Sequence, residues 1–218
     1  GEGLLVWYLA AHRFASFDNP LYRVSGERFR QELGNEASQF CAGCHDPALL
    51  VDGAMLDPVV PEDPRARAGV TCAVCHGIEH VEPGGNASYT LAARPIELPR
   101  LEDPDSVLRH KASASLPALR SPGLCNACHK ASLGPGQGHP QFFAGADDAL
   151  PHRRSGYAGS HAERIDPELA EQSCAGCHMP VEPAAADDFS AADGSVASHV
   201  ARGGHSLLAA MRGDDAES

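Results

Sequence analysis

All eight cysteines of this 218-residue chain stand in four copies of one pattern, Cys-x-x-Cys-His. They are Cys41-Ala-Gly-Cys44-His45, Cys72-Ala-Val-Cys75-His76, Cys125-Asn-Ala-Cys128-His129 and Cys174-Ala-Gly-Cys177-His178. Two thiols three positions apart, on a turn of helix, can reach the two vinyl groups on one edge of a haem. Each adds across a vinyl as a thioether, and the following imidazole then lies under the ring and ligates the iron. The pattern predicts four covalently bound haem c groups. Cys41, Cys44, Cys72, Cys75, Cys125, Cys128, Cys174 and Cys177 are the attachment residues, and His45, His76, His129 and His178 the proximal ligands. Two zinc sites are the first rival, but zinc ribbons do not require a His after every second Cys. Disulfides and thioredoxin-like pairs are minor alternatives.

Each iron has a sixth position to fill. The chain has 12 His, and those outside the motifs are His12, His80, His110, His139, His152, His161, His199 and His205. Only Met55, Met179 and Met211 compete, and Met179 directly follows a proximal His, on the wrong side of its ring. The balance favours bis-His ligation and hence low potentials, because Met ligation tends to raise them. Local context separates the candidates. His12 lies in an apolar-flanked stretch, and His110 inside a helical pattern just before the third motif. His161 and His199 stand in Gly- and Ser-containing turns either side of the fourth. His80 is too close to His76 to reach the far face of that haem, and His139 sits in a Gly/Pro-rich surface loop.

The elements that must position these groups are modest. Helices are expected at Ser25–Leu33, Asp103–Leu116, Pro167–His178 and Gly204–Arg212, the third opening with cap chemistry at Asp166-Pro167. Val81–Ala87 and Leu133–Gly138 read as loops, and Tyr89–Ala92 as one short strand. The fold class expected is mainly α with long loops and little β, a small multihaem cytochrome c fold organised around a four-haem stack. Residues 1–218 form one tetrahaem domain, either alone or within a larger chain or assembly. The motif spacings are too uneven for a simple sequence repeat.

Composition agrees. Aromatics are only 6%, with one Trp, against 22 Gly and 17 Pro, a thin supply of large side chains for a core. Large apolar prosthetic groups would fill the interior instead. The formal charge of -12 argues against nucleic acid as partner and permits a basic redox protein. No stretch approaches the roughly 18 to 20 apolar residues of a membrane span. Leu4–Ala11 reads as a first helix or the stub of a removed signal or anchor, so the chain is expected to be mature or trimmed.

The flanking words resemble a family. His12-Arg13-Phe14, Phe40–Leu50, Val70–Ile78, Tyr89-Thr90-Leu91, His110-Lys111, Cys125–Lys130, Ser155–His161, Cys174–Pro180 and Ser198-His199 follow in the order seen in multihaem cytochromes related to the tetrahaem electron acceptor of hydroxylamine oxidoreductase. The resemblance spans Ala11 to Leu208. It implies His12, His110, His161 and His199 as distal ligands. Relatives tend to have Asn-Thr where Gly204-His205-Ser206 stands, so His205 competes with His199, as His152 competes with His161.

The function expected is electron transfer between redox partners through closely spaced, mostly bis-His haems, in the periplasm or cell exterior. An enzyme with one open haem, acting on a small nitrogen or oxygen species, is the alternative. A subunit of a polymeric wire or larger complex is a third reading, compatible with the first.

Overall fold

The computed structural model describes residues 17, 19–94, 96–97, 99–100, 102–121, 123–159, 171–185 and 193–199. The expected helix at Gly204–Arg212 lies outside them, as do His12, His161 and His205. The architecture is mainly helical, with short strands between helices.

The longest helix, α1 (Pro20–Leu33), starts five residues earlier than its apolar pattern predicts. Asn19 is the reason: its side chain accepts from the N–H of Leu21, 2.9 Å away, and Pro20 occupies the first helical position. Gly34, at φ 92, ends the helix. Then come α2 (Ser38–His45), which carries the first motif, and α3 (Pro47–Val51). The apolar core gathers here, as Phe17, Ala42, Leu49, Met55 and Ala66, with Tyr22 packed edge-on against Phe17. Its small membership fits the poverty of large side chains in the sequence.

The remaining motifs share a local design. α4 (Cys72–Cys75), α6 (Gly123–Asn126) and α8 (Cys174–His178) are about one turn long. Thr71 caps α4 and Ser173 caps α8 by accepting from an N–H of the helix, and the Ser121 hydroxyl accepts from the N–H of Gly123 at the start of α6. After each motif comes an antiparallel hairpin: β1 (Ile78–Val81) with β2 (Tyr89–Leu91), β3 (Lys130–Leu133) with β4 (Phe143–Asp147), and β5 (Val181–Pro183) with β6 (Ser195–Ala197). The chain therefore repeats a structural unit, one turn of helix and a hairpin, that uneven loop lengths conceal in the sequence. Only the Tyr89 strand was expected of these six.

Two other helices sit between these units. α5 (Pro104–Ala114) carries His110 and falls within the predicted Asp103–Leu116, while α7 (Ala149–Arg154) carries His152. The expected helix at Pro167–His178 needs correction. Residues 171–173 are irregular, because Ser173 takes the extended cap conformation and α8 starts at Cys174.

The turn joining β1 to β2 holds the first and third motifs together. Asn86 and Ala87 both adopt positive φ, 55° and 56°, which turns their N–H groups to the carbonyls of Lys130 and Ala127, each 2.8 Å away. The Asn86 amide then pairs with Ser132, donating to its carbonyl at 2.9 Å and accepting from its N–H at 2.8 Å. On the other side the Tyr89 hydroxyl donates to the carbonyl of Gly43, inside the first motif, at 2.6 Å. Gly43 leaves room for this approach, since a Cβ there would stand 2.6 Å from that of Ala87.

Candidate functional site

The motif cysteines converge. All eight are free of disulfides, and among the described residues no cluster of three or more His, Cys, Asp or Glu has the geometry of a metal cage. The thiols of Cys128 and Cys44 hydrogen-bond one another, joining the third motif to the first. That contact lowers the Cys44 thiol and, together with burial, raises Cys128. Cys125 hydrogen-bonds Cys174, joining the third motif to the fourth, and burial is the main reason its thiol is pushed up to about 11. Cys75, from the second motif, lies close enough for its charge to act on Cys44's partner Cys128 and on Cys125. Four attachment sites far apart in sequence thus present their thiols to one region.

The histidines sort by which ring nitrogen is committed. His76 donates from Nδ1 to the carbonyl of Ala114, 2.8 Å away at the end of α5. His110 donates from Nδ1 to the carbonyl of Glu97 at 2.6 Å. The segment before α5 is pinned for that purpose, by Arg109 pairing with Glu97 at 2.8 Å and Asp103 at 3.3 Å, and by the buried Ser106 hydroxyl at Arg100. His129 donates from Nδ1 to the Asp148 carboxylate at 3.0 Å, while the Asp148 N–H returns to the His129 carbonyl at 2.9 Å. His199 donates from Nδ1 to the carbonyl of Ala197 at 3.0 Å. A proton held on Nδ1 puts the ligating lone pair on Nε2, and this second hydrogen bond is the usual companion of a metal-binding imidazole. By contrast, His80 and His152 commit Nε2, to Glu82 at 2.9 Å and to the Gln172 carbonyl at 2.8 Å. His152, the expected rival of His161, therefore lacks the Nδ1-to-oxygen bond that the other four have and that the exposed His139 also makes, to the Gln141 carbonyl.

Two of these rings face one another. His76 and His199 have centroids 6.1 Å apart and planes within 19° of parallel. The pair of imidazoles is near enough in space to be weighed as ligands of one haem. Burial, with the nearby His76, lowers the His199 pKa.

The first motif is supported differently. The ring of Tyr22 lies 4.7 Å from that of His45, and its hydroxyl donates to Asp46 at 2.7 Å. Asp46 is fully buried, and desolvation pushes its carboxyl up to about 6 against the effect of that hydrogen bond. Neither residue was singled out from sequence. The adjacency of Asp46 to a motif His was the one available signal.

No curated protein and no solved structure matches the chain. No described helix is long and apolar enough to cross a membrane. Residues 11–77 match the family model described as cytochrome c554 and c-prime, a span that takes in the first two motifs and the His12-Arg13-Phe14 word. The match does not reach to a link with hydroxylamine oxidoreductase. It supports reading the chain as a c-type cytochrome, a protein that holds haem c by covalent bonds.

Proposed function

We propose that the chain is a tetrahaem c-type cytochrome that passes electrons between redox partners. The convergence of the motif cysteines carries this reading. Cys44 meets Cys128, Cys125 meets Cys174, and Cys75 approaches two of them, so every attachment edge adjoins another. Haem iron supplies the one-electron chemistry when bound, and contact between its edges is what rapid tunnelling needs. The protein's part is to hold its ligands still. The Nδ1 hydrogen bonds of His76, His110, His129 and His199 fix ring orientation from backbone carbonyls and one carboxylate. Ligands held on both sides leave little to rearrange on reduction, and imidazole in place of thioether keeps potentials low.

The net charge of -12 fits a basic protein partner, steered to the surface by complementary charge. Covalent haem attachment takes place outside the cytoplasmic membrane, which locates the protein in the periplasm or beyond. His12, His161 and His205 complete the proposed candidates for the remaining distal positions.

Two measurements on the purified holoprotein test the reading. A haem assay against protein mass should return four haems per chain, and fewer would overturn the tetrahaem assignment. Electron paramagnetic resonance of the oxidised protein should show low-spin signals unchanged by hydroxylamine or nitrite. A high-spin signal that shifts on adding either would mean an open iron and an enzyme.

A further inference from the structure

Beside the first motif a cavity of about 190 Å³ opens between α1 and the turn at Ala54–Leu56. Cys41, Tyr22 and Met55 line it, and Arg23, Glu27 and Arg30 reach it from successive turns of α1. Arg30 stands out. Its side chain retains only 10% exposure, yet Nε and Nη1 are buried with no hydrogen-bond partner. The Oε2 of Glu27 lies 3.9 Å from Nε, beyond hydrogen-bond range, and its other oxygen already accepts from the Gln31 amide. The Tyr22 hydroxyl is committed to Asp46. A guanidinium taken out of water is destabilising unless its donors are met. It is also the side chain best suited to carboxylates and other oxyanions, through planar donors in fixed directions.

We propose that this cavity is an anion site, in which the buried guanidinium of Arg30 receives a carboxylate or a small oxyanion. Two sources supply that chemistry. One is a propionate of a haem attached at another motif, since the haem on Cys41 would present its vinyl edge here and its propionates away from the cavity; this source rests on the tetrahaem reading above. The other is a free anion from solution. Either meets the two unmatched donors and neutralises the buried charge. Glu27 shares the cavity wall, but its side chain is 53% exposed and its nearer oxygen stands 3.9 Å from Nε, so it does not meet the buried donors.

The experiment uses the holoprotein with Arg30→Met and Arg30→Gln. Haem content is measured first: fewer than four haems in the wild type counts against the tetrahaem reading and leaves the anion site to be judged by the acetate titration alone. Redox titration of the individual haems then tests the propionate source. Loss of the cation is expected to move one midpoint to more negative potential in both variants, with Arg30→Lys close to wild type. Thermal unfolding of wild type against sodium acetate at constant ionic strength tests the free anion: a saturable rise in Tm, absent from Arg30→Gln, assigns the site to solution anions. If no midpoint moves and no acetate-dependent rise occurs, the cavity holds water and the proposal is overturned. Should Arg30→Met fail to fold, Arg30→Gln and the wild-type acetate titration decide the matter between them.

Discussion

The side-chain amide of Asn86 is paired at both ends with the backbone of Ser132, at 2.9 and 2.8 Å, while its own N–H reaches Lys130. One residue in a β-turn thereby ties the hairpin of the second motif to the strand that follows the third. Replacement by Ala removes two hydrogen bonds worth about 1 kcal/mol each and sets a Cβ-bearing residue without a local partner at φ 55. Asn86→Ala should lower the unfolding free energy of the holoprotein by about 2 to 3 kcal/mol. Denaturant titration followed at the haem absorbance gives the value, and a change of about half a kcal/mol or less would contradict the clasp.

Gly43 and Ala87 touch across that same clasp. Adding a Cβ at Gly43 brings it within 2.6 Å of the Ala87 Cβ, so Gly43→Ala should cost about 1 to 3 kcal/mol by overpacking. Ala87→Gly removes the opposing methyl and relieves a positive φ. A double-mutant cycle should then show most of the Gly43→Ala cost disappearing in the Ala87→Gly background. Simple additivity would mean that the two do not meet.

His199→Ala tests the pairing with His76. One iron should become high-spin in the oxidised protein, visible by paramagnetic resonance, and added imidazole should restore the low-spin form. His80→Ala and His152→Ala, whose Nε2 atoms bond Glu82 and Gln172, should leave the spectrum unchanged. A spectrum that responds to His152→Ala and not to His199→Ala would reverse the assignment.

Tyr22 is the single described hydrogen-bond donor to the buried Asp46 side chain, whose Oδ1 has no partner. Tyr22→Phe leaves the whole carboxyl unsatisfied and should cost about 1 to 3 kcal/mol of stability. The haem count should remain that of wild type, because Tyr22 carries no attachment bond. Unchanged stability on thermal unfolding would show that water reaches Asp46.

The motifs were legible because their chemistry is local. Two thiols and an imidazole need one turn of helix, and capping residues such as Thr71 and Ser173 stand beside them in sequence. The hairpins were not legible. Strands such as Lys130–Leu133 are too short for alternation to register, and their pairing is set by contacts made elsewhere in the chain. The Asn86 clasp was hidden for the same reason, since its partner lies 46 residues away. Local context could put His199 and His110 forward as candidates, but not say which motif histidine His199 lies beside. That depends on where the β6 hairpin brings it, beside His76 rather than beside its sequence neighbour His178.

The clasp also couples the first and third motifs mechanically. Tyr89 grips the carbonyl of Gly43 and Ala87 the carbonyl of Ala127, so a displacement of either motif is passed to the other through the short stretch of backbone from Ala87 to Tyr89.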